Sequence, residues 1–225
     1  AEGALDKATR AARSGDAEAK ARLDVLQRVQ ELLGDAKAIR AHAWDESEAS
    51  ILKSYGFMSA KPMLYVANVT EADLDGASEG AKSVQEAANA AGTIAVMVCA
   101  AIESEIAELD EADRGEMLES MGIDRPAIGL LAGAMNEVLG LSTFYTAGEK
   151  EVRAWAVQRG ASAPEAAGAI HSDIQRGFIR AECYHCEDLF ELKSEKAIKE
   201  AGKLRSEGKS YAMQDGDVVH FLFNV

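Results

Sequence analysis

The sequence predicts an α/β unit, preceded by helices and followed by an α+β domain. Three observations support this. Alanine and glutamate are abundant while aromatic residues make up only 6% of the chain, which favours helix. Two apolar runs, 63–69 and 93–100, are separated by a helix-like segment. From residue 141 onward, the predicted elements follow the order ββαβαββ.

The first sixty residues favour a pair of helices followed by a shorter one. Residues 1–13 are helical in composition, and Ser14-Gly15-Asp16 breaks the pattern, with Asp16 a suitable N-cap. Asp45 is predicted to cap a further helix that ends near Phe57. One apolar face of the second helix is predicted from its spacing: Leu23, Leu26, Val29 or Gln30, and Leu33. Two helices joined by a short turn make an αα-hairpin.

After Pro62 the hydrophobic pattern changes from helical spacing to continuous apolar runs. M-L-Y-V-A-N-V (63–69) and T-I-A-V-M-V-C-A (93–100) are rich in strand formers, and a helix is predicted between them at roughly 78–91. Continuous apolar runs joined by a helix indicate buried parallel strands. Helices are expected to follow at about 103–119 and 126–139.

The last third of the chain predicts one mixed sheet. Strands are expected at 141–146 and 152–158, joined by a turn at 147–150. The remaining predictions are a helix from Ser162, a strand at 178–184, a helix at 194–201, and two strands, 211–214 and 218–223. Asp215-Gly216 between the last two strands is a strong hairpin signal.

Composition limits the possible partners. The formal net charge is −14, of which residues 1–141 carry −12 (13 Lys/Arg against 25 Asp/Glu) and residues 142–225 carry −2 (11 against 13). The acidic part should be repelled by a phosphate backbone, so any nucleic-acid contact is expected in the second part. Three cysteines do not form a disulfide framework, and no apolar run is long enough to span a membrane, so we expect a cytoplasmic protein. The chain opens without a Met, which suggests a fragment.

The stretch G-A-S-E-G-A-K-S (76–83) resembles a Walker A phosphate loop, G-x-x-x-x-G-K-[ST]. Ala81 replaces the glycine that precedes the lysine, and its methyl group would occupy the place where the backbone must approach a phosphate. The preceding strand is also predicted to end at Val69, seven residues before Gly76. We therefore expect a loop followed by a surface helix rather than a phosphate site.

A more informative pattern, A-N-V-T-E, ends the first predicted strand. Asn68 and Glu71 have N-x-x-E spacing there, and ligands of open α/β sheets bind outside the carboxyl ends of strands. A carboxylate in the plane of a purine can accept a hydrogen bond from an exocyclic amine, and an asparagine can brace the loop. The second strand ends in C-A-A (99–101), whose N–H groups are expected to face the same crevice. The alternative is an ordinary solvated turn.

Long segments of the chain resemble the YchF family of Obg-related nucleotide hydrolases, which prefer ATP to GTP. The resemblance is carried by K-P-M-L-Y-V-A-N-V-T-E and V-C-A-A-I-E-S-E-I-A-E-L-D in the first part. In the second part it is carried by F-Y-T-A-G-E-K-E-V-R-A-W, by A-P-E-A-A-G-A-I-H-S-D-I-Q-R-G-F-I-R-A-E and by Q-D-G-D-V-V-H-F-L-F-N-V. The segments are collinear with the family, and the resemblance as a whole covers essentially all 225 residues but only the later part of the family's length.

The resemblance implies three parts. Residues 1–60 correspond to a helical, coiled-coil-like insertion, and 61–140 to the C-terminal half of a P-loop NTPase (G) domain, of which a βαβ remnant is present. Residues 141–225 correspond to a TGS domain, a ubiquitin-like β-grasp module. The resemblance also implies an association with the ribosome or a ribosomal subunit, and with RNA through the TGS domain.

The resemblance further implies a base-binding set. In the family, N-x-x-E replaces the N-K-x-D of GTPases and is tied to adenine preference, which carries over to Asn68 and Glu71, with Val69 contacting the nucleotide through its main chain. The C-A-A segment corresponds to the last base-contacting loop: Cys99, Ala100 and Ala101. The family's phosphate loop, switch segments and Mg²⁺ ligands have no counterpart in this sequence. The intact protein is therefore expected to hydrolyse ATP, and this chain alone to be inactive.

A second hypothesis is a non-enzymatic module that docks on RNA or the ribosome and needs no nucleotide.

Several further features favour no specific site. C-Y-H-C (183–186) lacks the second ligand pair of a zinc site, and two residues three apart on a strand point to opposite faces. His171 is expected to be structural, and Trp155 and Phe178 to be core residues. Seven cations form either a basic surface or an ordinary mixed-charge face: Arg153, Arg159, Arg176, Arg180, Lys203, Arg205 and Lys209.

Overall fold

The computed structural model describes residues 2–13, 15–123, 125–148 and 151–224. The chain divides into two compact units, Ala1–Ala101 and Ile102–Val225. Ser14 of the predicted helix break, and Glu149 and Lys150 of the turn predicted at 147–150, lie outside the described residues.

The first unit begins with the predicted helices. These are α1 (Glu2–Ala12), α2 (Ala17–Gly34) and α3 (Glu46–Tyr55). Both predicted caps are confirmed: the Asp16 side chain accepts a hydrogen bond from the Ala19 N–H (3.0 Å), and Asp45 forms a capping box with Glu48.

The buried face of α2 differs slightly from the prediction. Val25, Leu26 and Val29 are buried, whereas Leu33 is 40% exposed. The core here is completed from outside α2, because Val25 and Val29 pack with Ile39 and Leu52. The connecting segment and α3 therefore set which residues of α2 are covered, and the spacing within α2 does not reveal this.

The predicted βαβ unit is confirmed, with shorter strands. It consists of β1 (Tyr65–Asn68), α4 (Glu79–Ala90) and β2 (Ala95–Val98), and the two strands pair in parallel. The expectation that the strands are buried is wrong for most of their residues. Of their eight residues only Ala67 is buried, and Val66 is 49% exposed. Within the part of the chain that the structure describes, this sheet has two strands, so each strand has an edge without a neighbour.

Three helices follow, α5 (Ala100–Glu108), α6 (Glu111–Ser120) and α7 (Ala127–Val138), and the boundary between the two units falls within α5. The single helix expected at 103–119 is therefore two helices. Asp110 follows the end of the first helix and caps the second, since its side chain accepts from the Asp113 N–H (3.2 Å). Pro126 is the N-cap residue of α7 rather than part of its first turn, and the Ala127 N–H donates to Glu103 (2.7 Å).

The second unit contains the predicted mixed sheet. Its strands are β3 (Leu141–Ala147), β4 (Val152–Gln158), β5 (Phe178–His185), β6 (Arg205–Glu207) and β7 (Asp217–Phe223), in the spatial order β4-β3-β7-β5-β6. Strand β7 runs parallel to β3 and antiparallel to β5. The helices are α8 (Ala163–Ile170), α9 (Ser172–Arg176), α10 (Cys186–Leu192) and α11 (Glu195–Glu200).

Both faces of this sheet carry helices. On one face Phe144, Phe221 and Ala181 pack with Ala166 and Ala167 of α8. Phe178 is buried in this cluster and Trp155 packs against it, so their expected core roles are confirmed. We call the opposite side the α11 face, where the cluster Tyr184, Ile198 and Val218 is joined by Leu189, Leu192 and Leu204.

The hairpin predicted at Asp215-Gly216 is wrong. Residues 211–214 form no strand and make only an isolated bridge from Ala212 to Ser162. The strand that precedes β7 along the chain is β6, which lies earlier than the predicted 211–214. Asp215-Gly216 instead joins the neighbouring strand: Asp215 accepts from the Thr143 N–H (2.7 Å), and the Gly216 N–H donates to the Thr143 carbonyl (2.8 Å). A partner 72 residues away along the chain, not the following strand, determines this turn.

Candidate functional site

The carboxyl ends of β1 and β2 lie side by side, as the sequence predicts. The parallel register pairs Asn68 with Val98, so the residues that follow each strand leave the sheet at the same edge. The Asn68 Oδ1 accepts a hydrogen bond from the Ala100 N–H (3.1 Å), which joins the A-N-V-T-E segment to the 99–101 turn. Asn68 is nevertheless an exposed residue.

The other predicted site residues differ in what they can offer a ligand. The Val69 N–H donates to the Val98 carbonyl (2.8 Å) and extends the ladder by one residue. Glu71 begins a short 3₁₀ turn, Glu71–Asp73, and is exposed. Among the described residues, the Glu71 carboxylate has no ion-pair or hydrogen-bond partner, so it remains available as an acceptor.

The 99–101 turn presents mainly backbone. Cys99 is 5% exposed, so its side chain belongs to the interior, whereas Ala100 and Ala101 are exposed. The Ala100 N–H is already used by Asn68, so this N–H braces the two strand ends together. The roles of Asn68, Val69, Glu71 and the 99–101 turn in base binding stay predictions.

The loop after Glu71 is held by its own side chains. Asp73 accepts from the Ser78 N–H (2.7 Å), and the hydrogen bonds from the Ser78 side chain and backbone lower the pKa of Asp73. Gly76 takes a positive φ of 67°, and a Cβ there would lie 3.4 Å from the Cγ of Met97 on β2. This geometry fixes the loop against the sheet beside the strand ends.

The Walker-like stretch is a helix start, as expected. Ser78 is the N-cap of α4, and its hydroxyl accepts from the Ala81 N–H (3.2 Å). Ala81 is 3% exposed, so the residue that spoils the motif belongs to the packed side of the helix. The Ala81 N–H therefore serves the helix cap, and the N–H of the capping residue Ser78 serves the loop.

The C-Y-H-C segment is not part of a group of metal-ligating side chains among the described residues. Cys183 is buried on β5, and burial raises its pKa from 9.0 to about 11; Cys186 is not on that strand but is the first residue of α10. His171 has the structural role that was expected, because its Nδ1 accepts from the Asp173 N–H (3.1 Å) at the start of α9. Across residues 2–13, 15–123, 125–148 and 151–224, no three His, Cys, Asp or Glu side chains are grouped to hold a metal.

The seven cations considered as a basic surface are mostly paired with acids. Arg176 pairs with Asp173 (2.7 Å) and Arg180 with Glu182 (2.9 Å). Lys203 bridges Asp188 (2.8 Å) and Glu191 (2.9 Å). These cations are therefore interleaved with acids.

Sequence reasoning missed a buried polar network in the second unit. Asp217 is fully buried and accepts from Arg205 (2.7 Å), the Tyr211 hydroxyl (2.8 Å) and the Gln214 N–H (3.0 Å). Arg205 also donates to the Tyr211 oxygen (2.9 Å). The D-G pair ahead of Asp217 indicated a turn, and no local signal pointed to the burial of this acid.

The described part of the chain contains no helix long and apolar enough to cross a membrane.

Residues 141–224 match the family model YchF-GTPase_C, described as a protein of unknown function (DUF933). Over 224 residues the chain is 46% identical to "Ribosome-binding ATPase YchF" of Haemophilus influenzae, an alignment that covers 100% of this chain and 61% of that protein. Over 227 residues it is 36% identical to "Obg-like ATPase 1" of Caenorhabditis elegans, covering 99% of this chain and 57% of that protein.

Solved structures agree with the sequence relatives. The YchF GTPase of Schizosaccharomyces pombe matches with a TM-score of 0.78 and 27% identity, over 97% of this chain and 61% of that one. A GTP-binding protein of Pyrococcus horikoshii OT3 matches with a TM-score of 0.52 and 16% identity, over 92% of this chain and 57% of that one, and shows the fold alone. The chain thus has a mixed α/β fold similar to the YchF GTPase structure, and it spans 61% of the length of the first curated relatives. It is a member of the YchF family and corresponds to the C-terminal portion of the proteins in it.

Proposed function

We propose that this chain is the base-selecting and docking portion of a cytoplasmic, ribosome-associated ATPase that hydrolyses ATP, and GTP less well. The proposal is supported by relatives named ribosome-binding ATPases that align with the chain along its length. In the intact protein, hydrolysis with Mg²⁺ would change the affinity for the ribosome or one of its subunits.

The domain division follows from the same resemblance. Residues 1–60 would form the helical insertion, 61–140 the second half of a nucleotide-binding G domain, and 141–225 a β-grasp TGS domain that faces the ribosome or RNA. The strand order β4-β3-β7-β5-β6 supports the assignment of a β-grasp module to residues 141–225. Such a module is expected to have a hairpin followed by a helix and a third strand, here β3-β4 and β5, in a sheet with a central parallel pair, here β3 and β7.

The single observation that carries base selection is the hydrogen bond from Ala100 to Asn68, which holds the two strand ends together beside an available Glu71 carboxylate. An acceptor-only carboxylate can accept from the exocyclic amine of adenine. Guanine carries a carbonyl oxygen at the same ring position, so a Glu71 carboxylate that faces this position would favour adenine over guanine. The residues present therefore fit an adenine edge, with Asn68 bracing the turn and Val69 and the 99–101 backbone lining the base.

The sequence contains no residues matching a phosphate loop or the family's Mg²⁺ ligands. Phosphoryl transfer depends on positioning and charge stabilisation by such groups, and residues 1–225 supply neither. We therefore expect the isolated chain to release no phosphate from ATP above background, and detectable release would contradict this part of the proposal.

Base selection is tested by saturation-transfer NMR of the whole chain with adenosine and guanosine. We expect transfer to adenosine only, lost in Glu71→Gln, which removes the charged acceptor. Glu79→Gln, at an exposed acid of α4, is the matched control. Equal transfer to both nucleosides, or an unchanged signal in Glu71→Gln, would refute the assignment.

The second candidate is a non-enzymatic module that docks on RNA or the ribosome through residues 141–225. It is favoured by the near-neutral charge of that part, with 11 Lys/Arg against 13 Asp/Glu in residues 142–225. Cosedimentation with ribosomal subunits separates the candidates. The second candidate predicts that the chain binds ribosomal subunits equally well with and without adenosine. The first candidate predicts that the affinity of the intact protein for the ribosome depends on the nucleotide.

A further inference from the structure

A pocket of about 520 Å³ lies in the second unit, between helix α11 and the α11 face of the sheet. Its apolar floor includes Ala147 at the end of β3, Val218 on the central strand β7, and Leu204 just before β6. Val218 is 6% exposed and belongs to the packed cluster of this face, so the floor is set by the core and does not depend on mobile side chains.

The acids of the pocket already have partners. Glu195 accepts from the buried Tyr184 hydroxyl (2.9 Å), and burial, together with this hydrogen bond, raises the pKa of Tyr184. Glu182 pairs with Arg180 (2.9 Å). Arg180 neutralises the Glu182 carboxylate, whereas the neutral Tyr184 hydroxyl fixes the position of Glu195 and leaves its charge in place.

The basic groups of the pocket are in the opposite situation. Lys196 and Lys199 project from α11, and His220 from β7. Among the described residues, neither Lys199 nor His220 has an ion-pair or hydrogen-bonding side-chain partner. The contact of Lys196 with Glu200 is long (3.9 Å), and both of its side chains are largely exposed. Two ammonium groups and an imidazole thus surround an apolar floor, and they outnumber Glu195, the carboxylate of the described lining that no cation neutralises.

This combination defines a ligand chemistry. The volume lies within the range of about 300–1,000 Å³ of small-molecule sites. Two lysines and a ring N–H suit a dianion better than a single carboxylate, and the apolar floor suits a flat, apolar group. We propose that the pocket binds a phosphate monoester that carries an aromatic or apolar body. This site is independent of the proposed base site, because all its lining residues lie between 147 and 220.

The test uses the whole chain and phenyl phosphate as the probe, followed by ¹⁵N-HSQC titration. We expect saturable shifts at the amides of the lining residues. Phenol lacks the charge and inorganic phosphate lacks the ring, so each is expected to bind more weakly. Lys199→Gln and His220→Gln are each expected to weaken binding by roughly fivefold to tenfold, since both are exposed and their replacement leaves the core unchanged.

Lys209→Gln is the matched control, because Lys209 is an exposed lysine outside the pocket. The proposal is supported if this variant binds phenyl phosphate as the parent does while Lys199→Gln does not. It is overturned by shifts that stay linear through the millimolar range. Shifts elsewhere in the chain, or equal affinity in Lys199→Gln and Lys209→Gln, would overturn it as well. A variant that binds weakly while keeping the parent's spectrum outside the pocket counts as support.

Discussion

Replacing Asp217 by asparagine tests how much the buried network contributes to the stability of the second unit. Asp217 is fully buried and receives three hydrogen bonds, one of them from Arg205 at 2.7 Å. Removing one partner of a buried ion pair costs about 3–5 kcal/mol. The Arg205 side chain retains 34% exposure and can be partly rehydrated, which lowers the expected loss to roughly 2–3 kcal/mol.

The assay is amide hydrogen exchange of β5 and β7 in the whole chain, because it reports on the second unit alone. A loss of this size accelerates exchange through global opening by roughly 30- to 150-fold. Glu207→Gln is the control. Glu207 lies 3.8 Å from Arg205 in a looser contact, and we expect a loss below about 1 kcal/mol. Equal exchange rates in Asp217→Asn and Glu207→Gln would refute the reasoning.

Two further predictions concern the same unit. Burial raises the pKa of Cys183 to about 11, so in the folded chain it should resist iodoacetamide at pH 8 while the partly exposed Cys186 reacts, as peptide mass mapping would show. Since the folded pKa lies above 9.0, this thiol's contribution to stability is complete below pH 9 and is lost as the pH rises through about 11; equal labelling of the two cysteines would contradict the assignment. Gly216→Ala should cost roughly 2–3 kcal/mol in urea unfolding, because φ is 86° and the new Cβ would lie 2.6 Å from the Nε2 of His185. Gly202→Ala, with φ of 71° and no atom within 4 Å, should cost only about 1 kcal/mol, and an equal cost for both would show that the contact with His185 is unimportant.

The elements that sequence reasoning placed correctly are those with local causes. Asp16 and Asp45 cap helices through residues three positions away, and β3 and β4 begin and end where the apolar pattern does. The misplaced ones have distant causes. Asp215 binds Thr143 of another strand, and Asp217 is buried because Arg205 is available to neutralise it. Neither partner can be inferred from the neighbouring residues.

The candidate site shows the same division. The meeting of two strand ends follows from parallel pairing, which the apolar runs around a helix predict. The sequence could not show that Asn68 would use the Ala100 N–H, because a side-chain amide has several acceptors and donors within reach. Nor could it show that Cys99 would turn inward while the Glu71 carboxylate stays in solvent.

The position of β7 in the sheet has a consequence for biosynthesis. This strand, made after the other four, lies between β3 and β5, so until residues 217–223 leave the ribosome the earlier strands form two unconnected pairs. Such pairs are marginal in water, and their unsatisfied edges are exposed to neighbouring nascent chains. An mRNA on which translation stalls just before the codon for Asp217 should therefore yield a nascent chain that chaperones retain and proteases degrade quickly.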